Sequence, residues 1–297
     1  MNNFHTPVLL KEVIENLRVE KGKKYIDATI GGGGHAFEIL ERGGIVLGID
    51  VDREAIEHIR EEVGSQKSEV KNSKRLILVK GNFRDIDKIA HSKGFDKVSG
   101  IVFDLGVSSH QLEEGERGFS FLREGPLDMR MDQDLSIPAK DLINVLTKGE
   151  LYELFSKLGE ESNAWRISEL IVSARKVKPI ETTLDLVEII KQAKPQRLSK
   201  INPATQVFQA LRIAINDEIN ALKDGLPKAL GLLENRGRLI TISFHSLDDR
   251  VVKQSFVRFK NENRGEIITA KPITPNGEEI DRNIRSRSAK LRVLEKI

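Results

Sequence analysis

Short apolar runs alternate with amphipathic segments over the first hundred residues. Four of these runs are rich in β-branched and aliphatic residues: YIDAT at 25–29, GIVLGID at 44–50, RLILVKG at 75–81 and GIVFDLG at 100–106. Such runs are typical of strands that are buried on both faces of a parallel sheet. Between two of them, REAIEHIREEV at 53–63 has apolar residues at helical spacing. The pattern predicts right-handed βαβ units and an α/β fold.

The pattern changes after Leu112, where helix-like segments follow one another without strands between them. They are DLINVL at 141–146, ELYELFSKLG at 150–159, NAWRISELIVSARK at 163–176, TLDLVEIIKQA at 183–193 and NPATQVFQALRIAINDEINALKDGL at 202–226. Thr147 and Glu150 have the spacing of a capping box. Asn202 is the expected N-cap of the last and longest helix.

Strand character returns near the C-terminus, in RLITISF at 238–244. A helix is predicted for 248–259, and AKLRVLEK at 289–296 is predicted to form a final edge strand. The sheet is thus interrupted and later resumed. We therefore predict a discontinuous α/β domain, residues 1–111 and 217–297, with an inserted helical domain at 112–216.

Composition narrows the class of protein. The chain has 297 residues, 39% hydrophobic and 31% charged, which is ordinary for a globular protein. It has no cysteine, which excludes disulfides, a thiolate zinc site and a cysteine nucleophile. The six histidines lack ligand spacing, so no metal site is expected. With no apolar run of about 18 residues and no signal peptide, we expect a cytoplasmic protein that does not bind a membrane.

Charge is nearly balanced, with a formal net charge of +3. Two stretches are nevertheless basic and contain no acidic residue: KQAKPQRLSK at 191–200 and RNIRSRSAKLR at 282–292. Each is compatible with an ordinary solvated surface or with phosphate contact.

A glycine-rich loop follows the first predicted strand. Gly31, Gly33 and Ala36 fit the dinucleotide-binding pattern G-x-G-x-x-A. Asp50, at the end of the second strand, could accept hydrogen bonds from a ribose diol, which both NAD and S-adenosylmethionine contain. Asp27 lies just before the loop, where a carboxylate suits the cations of S-adenosylmethionine better than a pyrophosphate.

A second acid points in the same direction. Asp104 ends the fourth strand, at the carboxyl edge where α/β proteins bind ligands. In class I methyltransferases this strand end faces the transferred methyl group. The chain has no G-x-x-x-x-G-K-[ST] motif, which excludes a phosphate-loop NTPase. The residues therefore favour methyl transfer.

Seven strings in order then give a specific resemblance. They are GGGGH at 31–35, NFR at 82–84, DLGVSSHQL at 104–112, ERGFSF at 116–121, PLDMRMD at 126–132, NPATQVFQALRIAIN at 202–216 and ISFHSLDDR at 242–250. From Thr6 to the C-terminus the chain resembles the RsmH (MraW) family of bacterial ribosomal RNA methyltransferases. The resemblance implies a class I S-adenosylmethionine-dependent (Rossmann-like) sheet with an inserted helical domain for substrate recognition. It also implies methylation of the exocyclic N4 of a cytidine in the decoding region of small-subunit (16S) rRNA.

The resemblance also assigns roles to residues. The expected contacts to S-adenosylmethionine are Gly33, Gly34, His35, Asp50, Phe83, Asp104 and Gln111. The residues expected at the reacting amino group are Asp104, Ser108, Ser109 and His245, and those expected to bind substrate are Arg117, Asp128, Arg130, Asp132, His245 and Ser246. Two positions depart from the family pattern: Asn202 replaces a common histidine, and Gln206 a basic residue.

Several alternatives stay open at this stage. Asp104 could serve only the cofactor, and Phe83 could be a core residue. Asp128 and Arg130 could simply hold their loop in shape. The expected partner is small-subunit rRNA within an assembled or assembling 30S particle, and the protein could be a monomer or a homodimer. Other functions to be tested are a methyltransferase for another acceptor, a NAD-dependent oxidoreductase and a non-catalytic ribosome-assembly factor.

Overall fold

The computed structural model describes residues 7–64, 75–194 and 202–297. These residues form two compact units. The α/β unit contains the described residues up to Ser108 and those from Ile219 onward, and the helical unit is Ser109–Glu218. The inserted helical domain had been predicted at 112–216.

The α/β unit is built on a seven-stranded sheet with the order β3-β2-β1-β4-β5-β7-β6. Its strands are β1 Lys24–Asp27, β2 Ile45–Asp50, β3 Leu76–Lys80, β4 Val98–Asp104, β5 Leu233–Ser243, β6 Gly265–Ile267 and β7 Lys290–Lys296. Strands β1 to β5 pair in parallel, and β7 is antiparallel to both of its neighbours. The four N-terminal strands predicted from apolar runs are confirmed.

Helices cover both faces of this sheet, which is why the central strands β1, β2 and β4 are almost continuously buried. The helices of this unit are α1 Leu10–Leu17, α2 Gly34–Glu41, α3 Arg53–Gly64, α4 Ile86–Ser92, α11 Glu218–Leu232, α12 Ser246–Asn261 and α13 Gly277–Arg282. Side chains of α1, α2 and α3 form one buried apolar layer with the sheet. Those of α4, α11 and α12 form the layer on the opposite face.

The strand order reverses between β1 and β4. From β1 the chain proceeds outward to β2 and β3, and then returns to place β4 on the other side of β1. In parallel α/β sheets a ligand crevice opens at such a switch point, outside the carboxyl ends of the strands. The ends of β1, β2 and β4 are therefore the first place to look for a site.

The helical unit consists of short helices. They are α5 Ser109–Glu113, α6 Ala139–Val145, α7 Lys148–Gly159, α8 Ala164–Ala174, α9 Thr183–Ala193 and α10 Thr205–Asn216. The capping box predicted for Thr147 and Glu150 is confirmed at the start of α7. Of the basic stretch at 191–200, residues 195–200 lie outside the described residues.

Two details of the C-terminal prediction are wrong. The long helix predicted from residue 202 to residue 226 is two helices, because Asp217 adopts a left-handed conformation (φ 49°) and ends α10. Asn202 does not cap it: α10 begins at Thr205 after Ala204, and the Asn202 side chain accepts a hydrogen bond from the Ala204 N–H instead.

The C-terminal strand, predicted at 289–296 as the edge of the sheet, is internal instead. Strand β7 lies between β5 and β6, and β6 forms the edge. Because β6 has only three residues, it leaves no hydrophobic periodicity that sequence analysis could detect.

Candidate cofactor site at the carboxyl edge of the sheet

Three aspartates end three neighbouring parallel strands. Asp27 is the last residue of β1, Asp50 of β2 and Asp104 of β4. Because the strands are parallel and adjacent, the three carboxyl groups share one edge of the sheet. Like charges so close together are costly to bury unless a cation or hydrogen-bond donors accompany them.

Asp50 is positioned by backbone donors. Its two carboxyl oxygens accept hydrogen bonds from the Gly31 N–H and the Asp52 N–H, both at 2.9 Å. Burial raises the pKa of Asp50 to about 6, against the lowering effect of these two bonds. Each carboxylate oxygen has a second lone pair. The group is thus fixed in orientation and still able to accept hydrogen bonds from a diol.

Asp27 is the most deeply buried of the three, at 1% exposure. One of its oxygens accepts a hydrogen bond from the Thr29 N–H at 3.3 Å. Burial, together with the nearby charges of Asp104 and Asp50, raises the pKa of Asp27 to about 8. Among the described residues, no cation contributes to the shift of this pKa. A bound cation would stabilise the ionised form.

Two residues that follow β1 lie against Asp104. Its backbone N–H donates to the Thr29 hydroxyl at 2.7 Å, which ties the end of β4 to the loop after β1. The His35 Nδ1 lies 3.8 Å from a carboxyl oxygen of Asp104, and both side chains are nearly buried. The His35 Nε2 lies 3.1 Å from the Val8 carbonyl, which can only accept, so this nitrogen bears a proton.

The glycine loop is shaped mainly by protein packing. Gly33 precedes α2 with φ 80°, a conformation that favours glycine, and a Cβ there would lie 2.8 Å from the Phe37 ring. A Cβ on Gly34 would lie 2.7 Å from Pro7. At Gly31, by contrast, the nearest atom to a Cβ would be 3.8 Å away. Of Gly31, Gly33 and Gly34, Gly31 therefore leaves its backbone most open to approach, a distinction that the sequence pattern did not make.

Phe83 packs within the α/β unit. Its ring meets Phe103 edge-to-face, with centroids 5.4 Å apart, and its backbone crosses close to Gly225. The core role considered for Phe83 is thus present in the structure. Contact with an adenine remains a prediction.

His245 caps the helix that follows β5. Its Nδ1 accepts a hydrogen bond from the Asp248 N–H at 3.3 Å, and the Asp248 carboxyl group accepts from the His245 N–H at 3.2 Å. This reciprocal pair is a capping box at the start of α12, whose first residue is Ser246. Sequence analysis missed this role. Contact of His245 or Ser246 with a substrate remains a prediction.

The other predicted site residues belong to the helical unit, except Ser108, the last residue of its segment of the α/β unit. Ser109 begins α5 and Gln111 is buried within it. The roles predicted for Ser108, Ser109 and Gln111 toward cofactor or substrate stay predictions.

A second polar cluster surrounds the loop at 126–132. Arg130 donates from Nε and Nη2 to the two carboxyl oxygens of Asp128, each at 2.7 Å. Although burial opposes it, hydrogen bonding from Arg130 holds the pKa of Asp128 below its usual range. The Arg117 guanidinium is buried and donates to the carbonyls of Arg130 and Met131 at 3.2 and 3.1 Å. These bonds give Arg117, Asp128 and Arg130 a role in holding the loop.

Asp132 stabilises the continuation of the same loop, where it accepts a hydrogen bond from the Asp134 N–H at 3.1 Å. Contact of Arg117, Asp128, Arg130 or Asp132 with a substrate stays a prediction.

Gln206, one of the two departures from the family pattern, forms hydrogen bonds within the helical unit. Its side-chain amide donates to the Glu160 carbonyl at 2.8 Å and accepts from Lys194 at 3.3 Å.

Two residues at the strand edge were not singled out beforehand. Thr29 joins the loop to β4, and Asp52 accepts from the Glu54 N–H at the start of α3. Asp52 had a usable signal, since a second acid two residues after Asp50 suits a helix start. Thr29 had none, because its partner is 75 residues away.

The strand-edge residues fit S-adenosylmethionine chemically. Buried carboxyl groups without a cation suit an ammonium and a sulfonium, and Asp50 suits a ribose diol. Within the described ranges, no three His, Asp or Glu side chains are grouped as metal ligands. No helix in those ranges is long and apolar enough to cross a membrane.

The sheet order, the antiparallel β7 and the acidic strand ends define a class I, Rossmann-like methyltransferase fold. The chain belongs to the MraW methylase family, whose model matches residues 2–297. It is 47% identical to the "Ribosomal RNA small subunit methyltransferase H" of Persephonella marina, over 99% of both chains. It is 44% identical to the protein of the same name from Thermomicrobium roseum, over 100% of this chain and 95% of that one. The predicted family membership and fold class are confirmed.

Proposed function

We propose that the protein transfers a methyl group from S-adenosylmethionine to the exocyclic N4 of a cytidine in the decoding region of small-subunit rRNA. The observation that supports this most directly is the set of three aspartates ending β1, β2 and β4. The names of the relatives support small-subunit rRNA as substrate. The resemblance of the seven sequence strings supports N4 of cytidine as the acceptor.

Different residues of the chain bind different parts of the cofactor. Asp50 holds the ribose, because backbone N–H groups of Gly31 and Asp52 fix its carboxylate. Asp27 faces the positively charged amino-acid end, where its ionised form is stabilised. When bound, S-adenosylmethionine supplies a methyl group on a positively charged sulfur.

Asp104 is our candidate for the reacting amino group. A cytosine amino group is a poor nucleophile, because its lone pair is delocalised into the ring. An acceptor that holds an N4 hydrogen favours tetrahedral geometry at nitrogen and gives the lost proton a path. The Asp104 carboxyl group can be that acceptor, since Thr29 fixes its backbone and its side chain stays 10% exposed. Positioning then supplies much of the remaining rate.

The helical unit is proposed to recognise the substrate. A cytidine within folded rRNA must be unstacked before it can reach such an edge. Because a decoding-region target is assembled from distant RNA segments, we propose the assembled or assembling small subunit as the substrate, and not naked RNA. We also propose that the protein acts in the cytoplasm, where that particle is found.

The test is to incubate the protein and labelled S-adenosylmethionine with small subunits that lack the modification, and separately with their naked RNA. Nucleosides are then identified by mass spectrometry. The expected product is N4-methylcytidine at one site, from the particle. Asp104→Asn should reduce the rate about 10²- to 10³-fold. Asp96→Asn, an exposed aspartate of the same unit, is the control and should leave the rate unchanged.

Other outcomes identify the alternatives. A different methylated nucleoside would replace cytidine N4 as the acceptor. Binding to subunits without methylation, equally strong for Asp104→Asn, would indicate an assembly factor. Binding of a nicotinamide cofactor in place of S-adenosylmethionine would overturn the proposal altogether.

A further inference from the structure

The basic stretch at 282–292 lies beside the carboxyl edge of the sheet. Strand β7 runs antiparallel to β5, with Lys290 opposite Ser243, the last residue of β5. The residues before Lys290 therefore continue past the edge at which β5 ends and at which Asp104 ends β4. Since adjacent strands lie about 4.8 Å apart, the start of β7 lies two strand spacings, about 10 Å, from the end of β4 across β5. Arg287 comes three residues before Lys290, the first residue of β7.

The backbone of this segment is fixed, although its arginines are exposed. Ile284–Ser288 form a 3₁₀ turn, and the Asn283 side chain caps it by accepting a hydrogen bond from the Arg285 N–H at 3.2 Å. Ser286 is fully buried and donates to the Asn283 carbonyl at 2.8 Å. Arg285 and Arg287, on either side of Ser286, are exposed. A fixed turn thus carries two exposed arginines.

Two nearby acids have other structural partners. Asp249 accepts hydrogen bonds from Arg292 at 2.6 Å and Lys290 at 3.3 Å, which fixes the start of β7 against α12. The Glu279 carboxyl group accepts from the Leu9 N–H at 2.7 Å. The other acids of α13, Glu278 and Asp281, are exposed, as is its last residue, Arg282. Between residues 278 and 287, three exposed arginines thus stand against two exposed acids.

We propose that Arg285 and Arg287 bind backbone phosphates of RNA next to the nucleotide that reaches Asp104, an inference that rests on the proposed function. Guanidinium groups bind phosphate oxygens in a planar, bidentate manner, and the exposure of both arginines makes them accessible to a nucleic acid. Phosphate contacts fix the register of a nucleic acid and carry no base information. These arginines would therefore position the RNA and leave the choice of base to the strand edge.

The test compares two double variants in the same unit. Arg285→Gln/Arg287→Gln removes two exposed charges beside the edge. Arg258→Gln/Lys260→Gln removes two exposed charges near the end of α12, about 20 Å along that helix from its start at the edge. For each protein we would measure binding of small-subunit RNA at several salt concentrations, methylation kinetics on small subunits, and the affinity for S-adenosylmethionine.

The expected result is specific to the first variant. Its slope of log affinity against log salt should fall by about 1.4, for two lost phosphate contacts at about 0.7 each on single strands. Its KM for small subunits should rise about tenfold or more, while kcat at saturation and cofactor affinity stay as in the wild type. The control variant should keep the wild-type slope and KM.

Two results would overturn the inference while leaving the proposed function intact. In one, the wild type methylates RNA, and Arg285→Gln/Arg287→Gln binds RNA with the same slope of log affinity against log salt as the wild type. The other is an equal loss in both variants, which would indicate only the overall charge of the surface. If the wild type binds S-adenosylmethionine but methylates no RNA, the proposed function fails first and this inference fails with it.

Discussion

In the two polar clusters of the molecule, the pKa values of buried carboxyl groups are shifted in opposite directions. At the strand edge of the α/β unit, burial raises the pKa of Asp27 to about 8 and that of Asp50 to about 6. In the helical unit, bonding to Arg130 holds the pKa of Asp128 below its usual range. Among the described residues, Arg130 offsets the charge of Asp128, whereas no cation contributes to the shift of the Asp27 pKa. The contrast is what we expect if the strand-edge acids bind a cationic ligand and Asp128 holds its loop.

The largest effect on stability is expected at Gly118, which packs against the loop at 126–132 in the helical unit. This residue has φ 71°, and a Cβ would lie 2.2 Å from the Pro126 carbonyl oxygen and 2.6 Å from the Asp128 nitrogen. Both neighbours are backbone atoms, so the loop itself must move. We expect Gly118→Ala to lower the free energy of unfolding by about 3–5 kcal/mol, more than a typical mutation. Denaturant unfolding followed by circular dichroism measures it.

Gly149→Ala is the matched control in the same unit. Gly149 lies within α7 and has ordinary φ, and a Cβ added there would meet no neighbouring atom within 4 Å. Alanine favours a helix over glycine by up to about 1 kcal/mol, so this variant should be as stable as the wild type or more so. Equal stability of the Gly118 and Gly149 variants would show that the loop adapts and that its geometry is not required.

The next largest effect is expected on the affinity for S-adenosylmethionine, when Asp50 at the strand edge is changed. Asp50→Asn keeps the size of the side chain but removes its charge and one acceptor oxygen. Loss of charged hydrogen bonds to a ribose diol should weaken S-adenosylmethionine binding about 100-fold, or about 2.7 kcal/mol. Isothermal titration calorimetry measures the affinity. Asp128→Asn, at the other cluster, should bind the cofactor as the wild type does, and a similar loss in both variants would contradict the contrast drawn between them.

The sequence predicted the strand edge better than the contacts that organise it. An apolar run that ends in aspartate marks the carboxyl end of a buried strand, so Asp27, Asp50 and Asp104 could be placed on one edge before any coordinates. The hydrogen bond between Thr29 and Asp104 could not, because it joins segments far apart in the chain. The capping role of His245 was missed because histidine is not a usual N-cap residue.

The same limit explains the errors in the fold. The long helix expected after Asn202 breaks at Asp217, which adopts a left-handed conformation without a glycine or proline to signal it. Strand β6 is too short for periodicity, so β7 was taken for the edge. Local pattern predicts which segments are buried. Which segment lies beside which depends on contacts between distant residues.

A third prediction concerns pH and Asp27. The cations of S-adenosylmethionine favour the ionised carboxylate, whereas burial holds the pKa of Asp27 at about 8 in the free protein. Cofactor affinity should therefore rise with pH up to about 8, by at most about tenfold per unit, and binding should release a proton. Calorimetry at pH 7 in buffers of different ionisation enthalpy measures that release. Asp27→Asn should abolish most of the release at pH 7 and the pH dependence between about 7 and 8, and leave the contribution of Asp50, whose pKa is about 6, at lower pH.

The stability of the free protein should change with pH in the opposite direction. Because the folded-state pKa of Asp27 is raised, the folded state holds a proton that the unfolded state loses above its ordinary value of 3.8. This contribution is fully present below that value and declines as the pH rises toward about 8. Saturating cofactor should reduce the decline. The control is Asp27→Asn. If the unfolding free energy of the wild type depends on pH no more strongly than that of this variant, burial does not raise the pKa of Asp27.

The smallest effect lies in the helical unit, where Asp128→Asn replaces a carboxylate that accepts two hydrogen bonds from Arg130 with a neutral amide that can accept only through its one oxygen. Arg130 also donates to the Gln133 carbonyl at 3.3 Å, so it keeps a partner and the loss should be only about 1–2 kcal/mol. Since the folded-state pKa of Asp128 is lowered, its contribution is present above the ordinary value and is lost as the pH falls through the folded value. Unfolding of wild type and variant should therefore converge in acid and differ most near neutrality. That dependence is opposite in sign to the one expected for Asp27, so a single pH series on the two asparagine variants distinguishes a carboxyl group whose pKa is raised by burial from one whose pKa is lowered by Arg130.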